Sequence, residues 1–204
     1  PGVTAAPGGK DSRAAVSWND IAILRDAAGS QTRSNGAALA AFKQQIKGLD
    51  VIYIVFDAFN ADHASLYGYE RKTTPFLDRL GRKSIVLDHF YANHPYTLAS
   101  TGMLLTSKYS SEHGLVSTAH QLSPMYPTVT EILADHGVPS FLITGHVFLN
   151  GPWGLDRGFK TVYFDEKYED QADAIVEALA QIYDKAPPPQ RKFIYLHLMP
   201  PHDP

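Results

Sequence analysis

The sequence predicts an α/β protein in which a mainly parallel sheet is flanked by helices. Apolar runs of strand length recur at 51–56, 85–91, 138–144 and 193–199. Runs of this kind fit strands that are covered on both faces. Segments with helical periodicity lie between them. Strands that alternate with helices are typical of parallel sheets with right-handed crossovers.

Helix signals separate the strand-like runs. A helix is predicted to begin at Pro75 with Thr74 as its cap, because proline fits the first helical position. Short helices are predicted over residues 98–105 and 128–136. A longer helix is predicted over residues 169–185, where apolar residues follow one side at helical spacing. Its apolar stripe is interpreted as core packing.

Composition divides the chain into three segments. Residues 1–17 are rich in glycine, proline and alanine and are predicted to form a flexible linker or tail. Residues 18–49 are predicted to be a helical lead-in, with helices over 21–28 and 37–47. Residues 50–204 are predicted to belong to the α/β domain. The chain begins with proline and ends in "MPPHDP", so we expect it to be cut from a longer protein whose carboxyl-terminal part is missing.

The overall composition excludes several classes of function. The chain has 204 residues, of which 44% are hydrophobic and 11% aromatic, enough to fill a core. Its net charge of −3 gives no general attraction to nucleic acid or to anionic membranes. The absence of cysteine excludes disulfides, thiolate metal sites and a cysteine nucleophile. No apolar run approaches the roughly 20 residues of a membrane span, so neither a nucleic-acid partner nor a membrane segment is predicted.

Polar residues are associated with two of the strand-like runs. Asp57 comes directly after the first run, and His202 follows the last one. Parallel strands bring their carboxyl ends to one edge of a sheet, where ligands bind in open α/β sheets. Both residues are therefore candidates for holding a metal or a polar substrate. Taken alone, Asp57 is better explained as a cap, and His197, inside the last run, is interpreted as a core residue.

Thr97 stands just before the short helix predicted over 98–105. The free N–H groups and the dipole at a helix start favour an anion. A hydroxyl held there beside a metal could lose its proton and attack a phosphorus or sulfur centre. Taken alone, Thr97 is explained more simply as the cap of this helix, a role that threonine often has.

Five sequence blocks resemble the sulfatase family of the alkaline phosphatase superfamily. They are "FDAFNADH", "GYERKTTPFLDRL", "HPYTLASTGMLLTSKYSSEHG", "GLDRGF" and "FIYLHLMPPHDP". Each block alone is a weak signal, but five blocks in the family order are specific. The resemblance extends over residues 50–204.

The resemblance implies roles for five residues. Asp57 would be a metal ligand, Thr97 the nucleophile and His202 the residue that binds the substrate oxyanion. His113 and His146 fall, more loosely, in regions where relatives place further substrate-binding residues. The implied cofactor is a divalent metal ion, with calcium, magnesium, manganese and zinc all open. The implied substrate is a small-molecule, glycan or lipid ester.

The chain departs from the sulfatase pattern at the nucleophile. Sulfatases carry there a cysteine or serine that is converted to formylglycine, and Thr97 cannot undergo this conversion. Ala99 and Thr101 replace the proline and arginine of the conversion motif, and Ala58 replaces a second ligand aspartate. A threonine resembles instead the phosphotransferases and phosphodiesterases of the superfamily. Phosphoryl chemistry is therefore favoured over sulfate-ester hydrolysis.

The resemblance also implies an Asp-His or Asp-Asn pair of metal ligands beyond Pro204. We therefore expect the parent protein to be a hydrolase or transferase and the 204-residue chain itself to be inactive. The alternative is a catalytically degenerate or truncated sulfatase-like domain with a binding role. The family resemblance favours an extracytoplasmic parent, whether periplasmic, secreted or membrane-anchored. The sequence leaves the oligomeric state open.

Overall fold

The computed structural model describes residues 3–5, 13–14, 40–41, 43–44, 46–165, 172–186 and 191–202. The chain divides into two compact units. One comprises Pro1–Lys47 and Asn60–Tyr91, and the other comprises Gly48–Phe59 and Ala92–Pro204. The second unit contains all five candidate site residues.

The strands and helices are mostly short. The described strands are β1 (Val3–Ala5), β2 (Arg13–Ala14), β3 (Val51–Phe56), β4 (Ile85–Leu87), β5 (Ser140–Thr144), β6 (Thr161–Phe164) and β7 (Phe193–Leu198). The described α-helices with defined first and last residues are α1 (Pro75–Gly81), α2 (Thr97–Thr106), α3 (Ser110–His113), α4 (Val129–Asp135) and α5 (Ala172–Lys185). Helical residues also occur between 40 and 46, within the helix predicted over 37–47. The helix predicted over 21–28 lies outside the described residues.

The second unit is built on a four-stranded parallel sheet. Its strand order is β3-β7-β5-β6, and each neighbouring pair runs in the same direction. This arrangement confirms the predicted α/β class. The inner strand β5 is buried at all five of its residues, as expected for a strand covered on both faces. Because the four strands are parallel, their carboxyl ends lie along one edge of the sheet.

Helix α5 packs on this sheet through part of the predicted apolar stripe: Ile182 is buried and Ile175, Leu179 and Tyr183 pack against the core, whereas Val176 is 62% exposed. The buried core that the helix and the sheet share consists of Phe141, Ile143, Ala174, Ala178, Ile182, Ala186, Ile194 and Leu196. Full burial of one such isoleucine contributes about 1.5–3 kcal/mol relative to leaving it exposed. The packing of α5 therefore fixes the positions of β5 and β7, which lead to the candidate site.

Strand β3 lies at an edge of the parallel sheet. It pairs with β7 in register, with Val51 opposite Phe193 and Phe56 opposite Leu198. Among the described residues, no strand pairs with its other edge. Its apolar side chains are accordingly half exposed, at 50% for Val51 and 47% for Ile52. This strand is less covered than its sequence predicts.

The first unit contains a separate, antiparallel sheet. Strand β1 lies between β2 and β4 and runs antiparallel to both. The prediction of a strand over 85–91 within the parallel sheet is therefore wrong: β4 ends at Leu87 and belongs to this second sheet. An apolar run of three residues carries no signal for the sheet that it joins. Strands β1 and β2 fall within residues 1–17, and the flexible tail stays a prediction for the rest of that segment.

Strand β6 is not predicted from the sequence. Its four residues, Thr161–Phe164, pair with β5 in parallel, with Thr161 opposite Phe141. Three of the four residues are half buried. Four residues with partial burial are too few to produce a clear period, so the position of β6 is set by pairing with β5.

Candidate functional site

Asp57 follows β3 directly and is held by the sheet. Its backbone N–H donates to the carbonyl oxygen of Leu198 at 2.8 Å, which extends the β3–β7 ladder by one residue. Its side chain is 14% exposed. The carboxylate therefore has a fixed direction at the carboxyl edge of the sheet, where the sequence places a candidate ligand.

Thr97 is the first residue of α2, and its hydroxyl reaches Asp57. The Thr97 Oγ1 donates to the Asp57 Oδ2 at 3.2 Å. The interpretation of Thr97 as a helix cap is wrong, because the capping position belongs to Tyr96, whose side chain makes no capping hydrogen bond. The hydroxyl points to the carboxylate, while the helix start supplies free N–H groups beside it.

His197 lies within β7 and contacts the same carboxylate. Its Nε2 lies 3.1 Å from the Asp57 Oδ2, and its side chain is 2% exposed. Its Nδ1 lies 3.4 Å from the hydroxyl of Tyr195. From the sequence, His197 is interpreted only as a core residue. It is indeed buried, but the parallel register brings its ring to Asp57, across a separation of 140 residues.

His146 follows β5 and also lies near the Asp57 carboxylate. Its Nε2 lies 3.6 Å from the Asp57 Oδ2. Its Nδ1 accepts a hydrogen bond from the backbone N–H of Phe148 at 3.2 Å. The rings of His146 and His197 meet edge to face, with centroids 5.3 Å apart.

Asp57, His146 and His197 form a group whose potential ligand atoms all lie within 4.8 Å of one another. One carboxylate oxygen and two imidazole nitrogens suit a divalent transition metal better than calcium, which prefers oxygen ligands alone. The donor types therefore fit a metal ion at this edge of the sheet. Among the described residues, this is the cluster of at least three such groups that could hold one.

The electrostatics of the cluster keep the carboxylate charged. Burial alone would raise the pKa of Asp57, but the hydrogen bond from His197, the charges of His197 and His146 and the hydrogen bond from Thr97 together lower it below 3.8. The pKa of His146 is lowered to about 4, first by burial and then by the charge of His197. Near neutral pH, therefore, Asp57 is an anion and His146 is neutral.

His113 does not join the cluster. Its ring is fully buried beneath α2, close enough to Gly102 that an added Cβ would lie 2.9 Å from its Cε1. Its Nδ1 accepts a hydrogen bond from the backbone N–H of Leu115. Burial lowers the pKa of His113. Substrate binding by His113 stays a prediction.

His202 lies on the turn that follows β7 and is exposed. Its backbone N–H donates to the carbonyl oxygen of Met199 at 2.7 Å. It is near enough to His146 for its charge to lower the pKa of that histidine. This position lies just beyond the carboxyl end of β7, as expected from the sequence, and the substrate-binding role of His202 stays a prediction.

The fold and the cluster define an α/β protein with a candidate metal site at the carboxyl edge of its sheet. Residues 50–204 match the sulfatase family model. The chain therefore belongs to the sulfatase family, as the resemblance of its motifs predicts.

Known proteins similar to this chain share that assignment or the fold. An N-acetylglucosamine-6-O-sulfatase of Bacteroides thetaiotaomicron is 26% identical over 115 residues, which are 56% of this chain and 21% of that protein. A structure solved in complex with its substrate, D-glucosamine-2-N,6-O-disulfate, is 21% identical with a TM-score of 0.61, over 76% of this chain and 35% of that one. A phosphonate monoester hydrolase of Agrobacterium radiobacter is 14% identical with a TM-score of 0.60, over 76% of this chain and 41% of that one.

The chain thus spans about a fifth of the length of the curated relative and less than half of the two solved structures. At these identities the solved structures show the fold alone. Within the described residues, no helix has both the length and the apolar character needed to cross a membrane.

Proposed function

We propose that this chain is part of a metal-dependent hydrolase or transferase of phosphate esters with Thr97 as the nucleophile. One observation carries the proposal: the Thr97 hydroxyl lies at the start of α2 and donates to the Asp57 carboxylate at 3.2 Å. A nucleophilic hydroxyl requires a partner that orients it and donors that stabilise the charge of the transition state. The Asp57 carboxylate orients the hydroxyl, and the N–H groups at the start of α2 are the donors.

In the proposed reaction, the Thr97 oxygen attacks the phosphorus atom of the ester. A bond forms between Oγ1 and phosphorus, and the bond from phosphorus to the leaving oxygen breaks. The departing oxygen takes up the proton that the Thr97 hydroxyl loses and leaves as an alcohol. Water or an acceptor alcohol then displaces Thr97 and completes hydrolysis or transfer. The free N–H groups at the start of α2 stabilise the negative charge that develops on the phosphoryl oxygens.

A divalent ion, whether calcium, magnesium, manganese or zinc, would act as a Lewis acid at this site. Asp57 would hold it. His146 and His202 would bind the non-bridging oxygens of the ester, since both belong to the carboxyl edge of the sheet. A role of His113 toward the substrate would require an opening beneath α2, because its ring is fully buried.

Threonine at position 97 favours phosphate over sulfate esters. The formylglycine of sulfatases derives from cysteine or serine, whereas an unmodified hydroxyl is a sufficient nucleophile for phosphoryl transfer. The relatives whose names or substrates indicate sulfatases therefore do not decide the ester that this chain cleaves. A comparison of bis(4-nitrophenyl) phosphate with 4-nitrocatechol sulfate addresses this choice directly.

The test is capture of the phosphoryl group on Thr97. The full-length parent protein is incubated with bis(4-nitrophenyl) phosphate and each divalent ion in turn, and its mass is measured after rapid acid quenching. We expect the mass of one aryl phosphoryl group on Thr97, and its loss in Thr97→Ala. Thr106→Ala is the matched control, because Thr106 ends the same helix and its hydroxyl donates to the carbonyl oxygen of Gly102.

Capture that survives in Thr97→Ala would overturn the proposal, as would faster release of nitrocatechol from the sulfate ester. Ester binding without capture would favour the alternative of a degenerate domain with a binding role. The absence of a second carboxylate at Ala58 is the feature that supports this alternative.

A further inference from the structure

We propose that His197 is a metal ligand through its Nε2, next to Asp57, and that His146 is not a ligand but keeps its Nε2 proton as a hydrogen-bond donor. The inference rests on the metal dependence of the proposed function. It divides the three groups at the carboxyl edge into two ligands and one donor. The ion that fits them belongs to the zinc class of first-row transition metals.

The two histidines differ in what contacts their other ring nitrogen. The His146 Nδ1 faces the backbone N–H of Phe148 at 3.2 Å. A backbone N–H can only donate, so this Nδ1 must accept. In a neutral imidazole the proton then resides on Nε2. The Nε2 that lies 3.6 Å from Asp57 therefore has no lone pair to offer a metal.

The His197 Nδ1 faces a hydroxyl instead, that of Tyr195, at 3.4 Å. A hydroxyl can donate or accept. Without an ion, Tyr195 donates to Nδ1, and the Nε2–H of His197 donates to Asp57. With an ion bound, the proton would lie on Nδ1 instead of Nε2 and would be donated to the Tyr195 oxygen, while the Tyr195 hydrogen would turn to the Thr101 hydroxyl. The Nε2 would then offer its lone pair.

Tyr195 is built to support this exchange. It is 2% exposed and stacked on Tyr53, with ring centroids 5.6 Å apart, so its hydroxyl has a fixed position. Thr101 also hydrogen-bonds that hydroxyl. Metal-bound histidines almost always donate their second N–H to a neighbouring acceptor, which sets the tautomer. Tyr195 provides that acceptor for His197, whereas Phe148 cannot provide one for His146.

The spacing of the two proposed ligands fits a small ion. The His197 Nε2 and the Asp57 Oδ2 are 3.1 Å apart. Two ligands at zinc bond lengths and a tetrahedral angle lie about 3.3–3.4 Å apart. A shift of a few tenths of an ångström therefore admits the ion. Imidazole nitrogen suits zinc and its neighbours, whereas calcium and magnesium select oxygen ligands.

The experiment is a titration with Co²⁺, whose visible bands report coordination by nitrogen and oxygen ligands. The variants His197→Gln and His146→Gln form a matched pair, and His136→Gln controls for adventitious binding at an exposed histidine. We expect His197→Gln to weaken Co²⁺ binding by more than about 100-fold, because loss of a ligand exceeds the 10–100-fold effect of its hydrogen-bonding partner. We expect His146→Gln and His136→Gln to change it by less than about threefold, and Tyr195→Phe to weaken it by about 10–100-fold.

Side-chain ¹⁵N spectra of the unaltered protein give a readout that does not depend on variants. Addition of Zn²⁺ should shift the His197 Nε2 resonance and exchange its tautomer while the His146 resonances keep their Nε2–H pattern. The titration is made with the full-length parent protein. The inference would be overturned by equal loss of binding in the two glutamine variants, by no loss in either, or by no binding to the unaltered parent protein. Displacement of Co²⁺ by an equal concentration of Ca²⁺ would also overturn it. Thr97→Ala separates the two proposals, since it should abolish phosphoryl capture and leave Co²⁺ binding in place.

Discussion

At the amino end of the β3–β7 pair Asp50 meets Lys192, and at the carboxyl end Asp57 meets His197. The Lys192 Nζ lies 2.9 Å from the Asp50 Oδ2 and 4.3 Å from the centre of the Tyr183 ring, and its side chain is fully buried. The Lys192 ammonium and the Asp50 carboxylate form a charge pair at this end of the strands. The histidines at the other end are titratable groups that can exchange donor and acceptor roles.

One end of the β3–β7 pair therefore holds a stabilising charge pair, and the other end holds histidines whose ring nitrogens can exchange donor and acceptor roles. A buried ammonium whose partner is removed has no alternative partner of opposite charge and becomes costly. An imidazole that loses its carboxylate can reorient its proton and is tolerated more easily. The comparison predicts that substitutions of the two aspartates have opposite consequences for stability and for metal binding.

The largest expected effect on stability is that of Asp50→Asn. Loss of this carboxylate leaves the buried Lys192 charge unpaired and should lower the free energy of unfolding by about 3 kcal/mol. Urea denaturation followed by far-UV circular dichroism measures it. Lys192→Met is the control: it removes the buried charge and fills its space, so it should cost less than half as much. Equal losses in the two variants would contradict a stabilising charge pair.

A smaller effect of the same pair is its dependence on pH. Burial alone would raise the pKa of Asp50, but the hydrogen bonds from Lys192 and Tyr183 outweigh it and lower the pKa below 3.8. A lowered pKa in the folded state stabilises the fold above the unfolded value and loses this contribution as the pH falls through the folded value. The stability difference between the unaltered protein and Asp50→Asn should therefore shrink as the pH falls below about 4. A constant difference across thermal melts in this range would contradict it.

The smallest effect on stability is expected for Asp57→Asn. The amide oxygen still accepts a hydrogen bond from a neighbouring donor, so the free energy of unfolding should fall by only about 0.5 kcal/mol. Co²⁺ binding should nevertheless be lost. Asp135→Asn, on the exposed face of α4, is the control for both measurements. A loss of stability as large as that of Asp50→Asn would remove the distinction between the two ends.

The location of Asp57 and Thr97 at the candidate site could be predicted, because each residue stands at the end of a strand or helix with a clear sequence signal. A strand end and a helix start are local features, and a parallel sheet then places strand ends on one edge. The approach of His197 to Asp57 could not be predicted, because it depends on a register across 140 residues. The length of β6 and the sheet to which β4 belongs are likewise decided by tertiary pairing, which a short apolar run does not encode.

The parallel pairing of β3 with β7 has a consequence for synthesis on the ribosome. Asp57 and His197 are 140 residues apart, and at about 5–20 residues per second the intervening chain takes about 7–28 s to make. During this interval the apolar side chains of β3 have emerged while the strand that pairs with them does not yet exist. The nascent chain therefore exposes the backbone N–H and C=O groups of β3 early, and pairing with β7 satisfies them in the same step that assembles the candidate site.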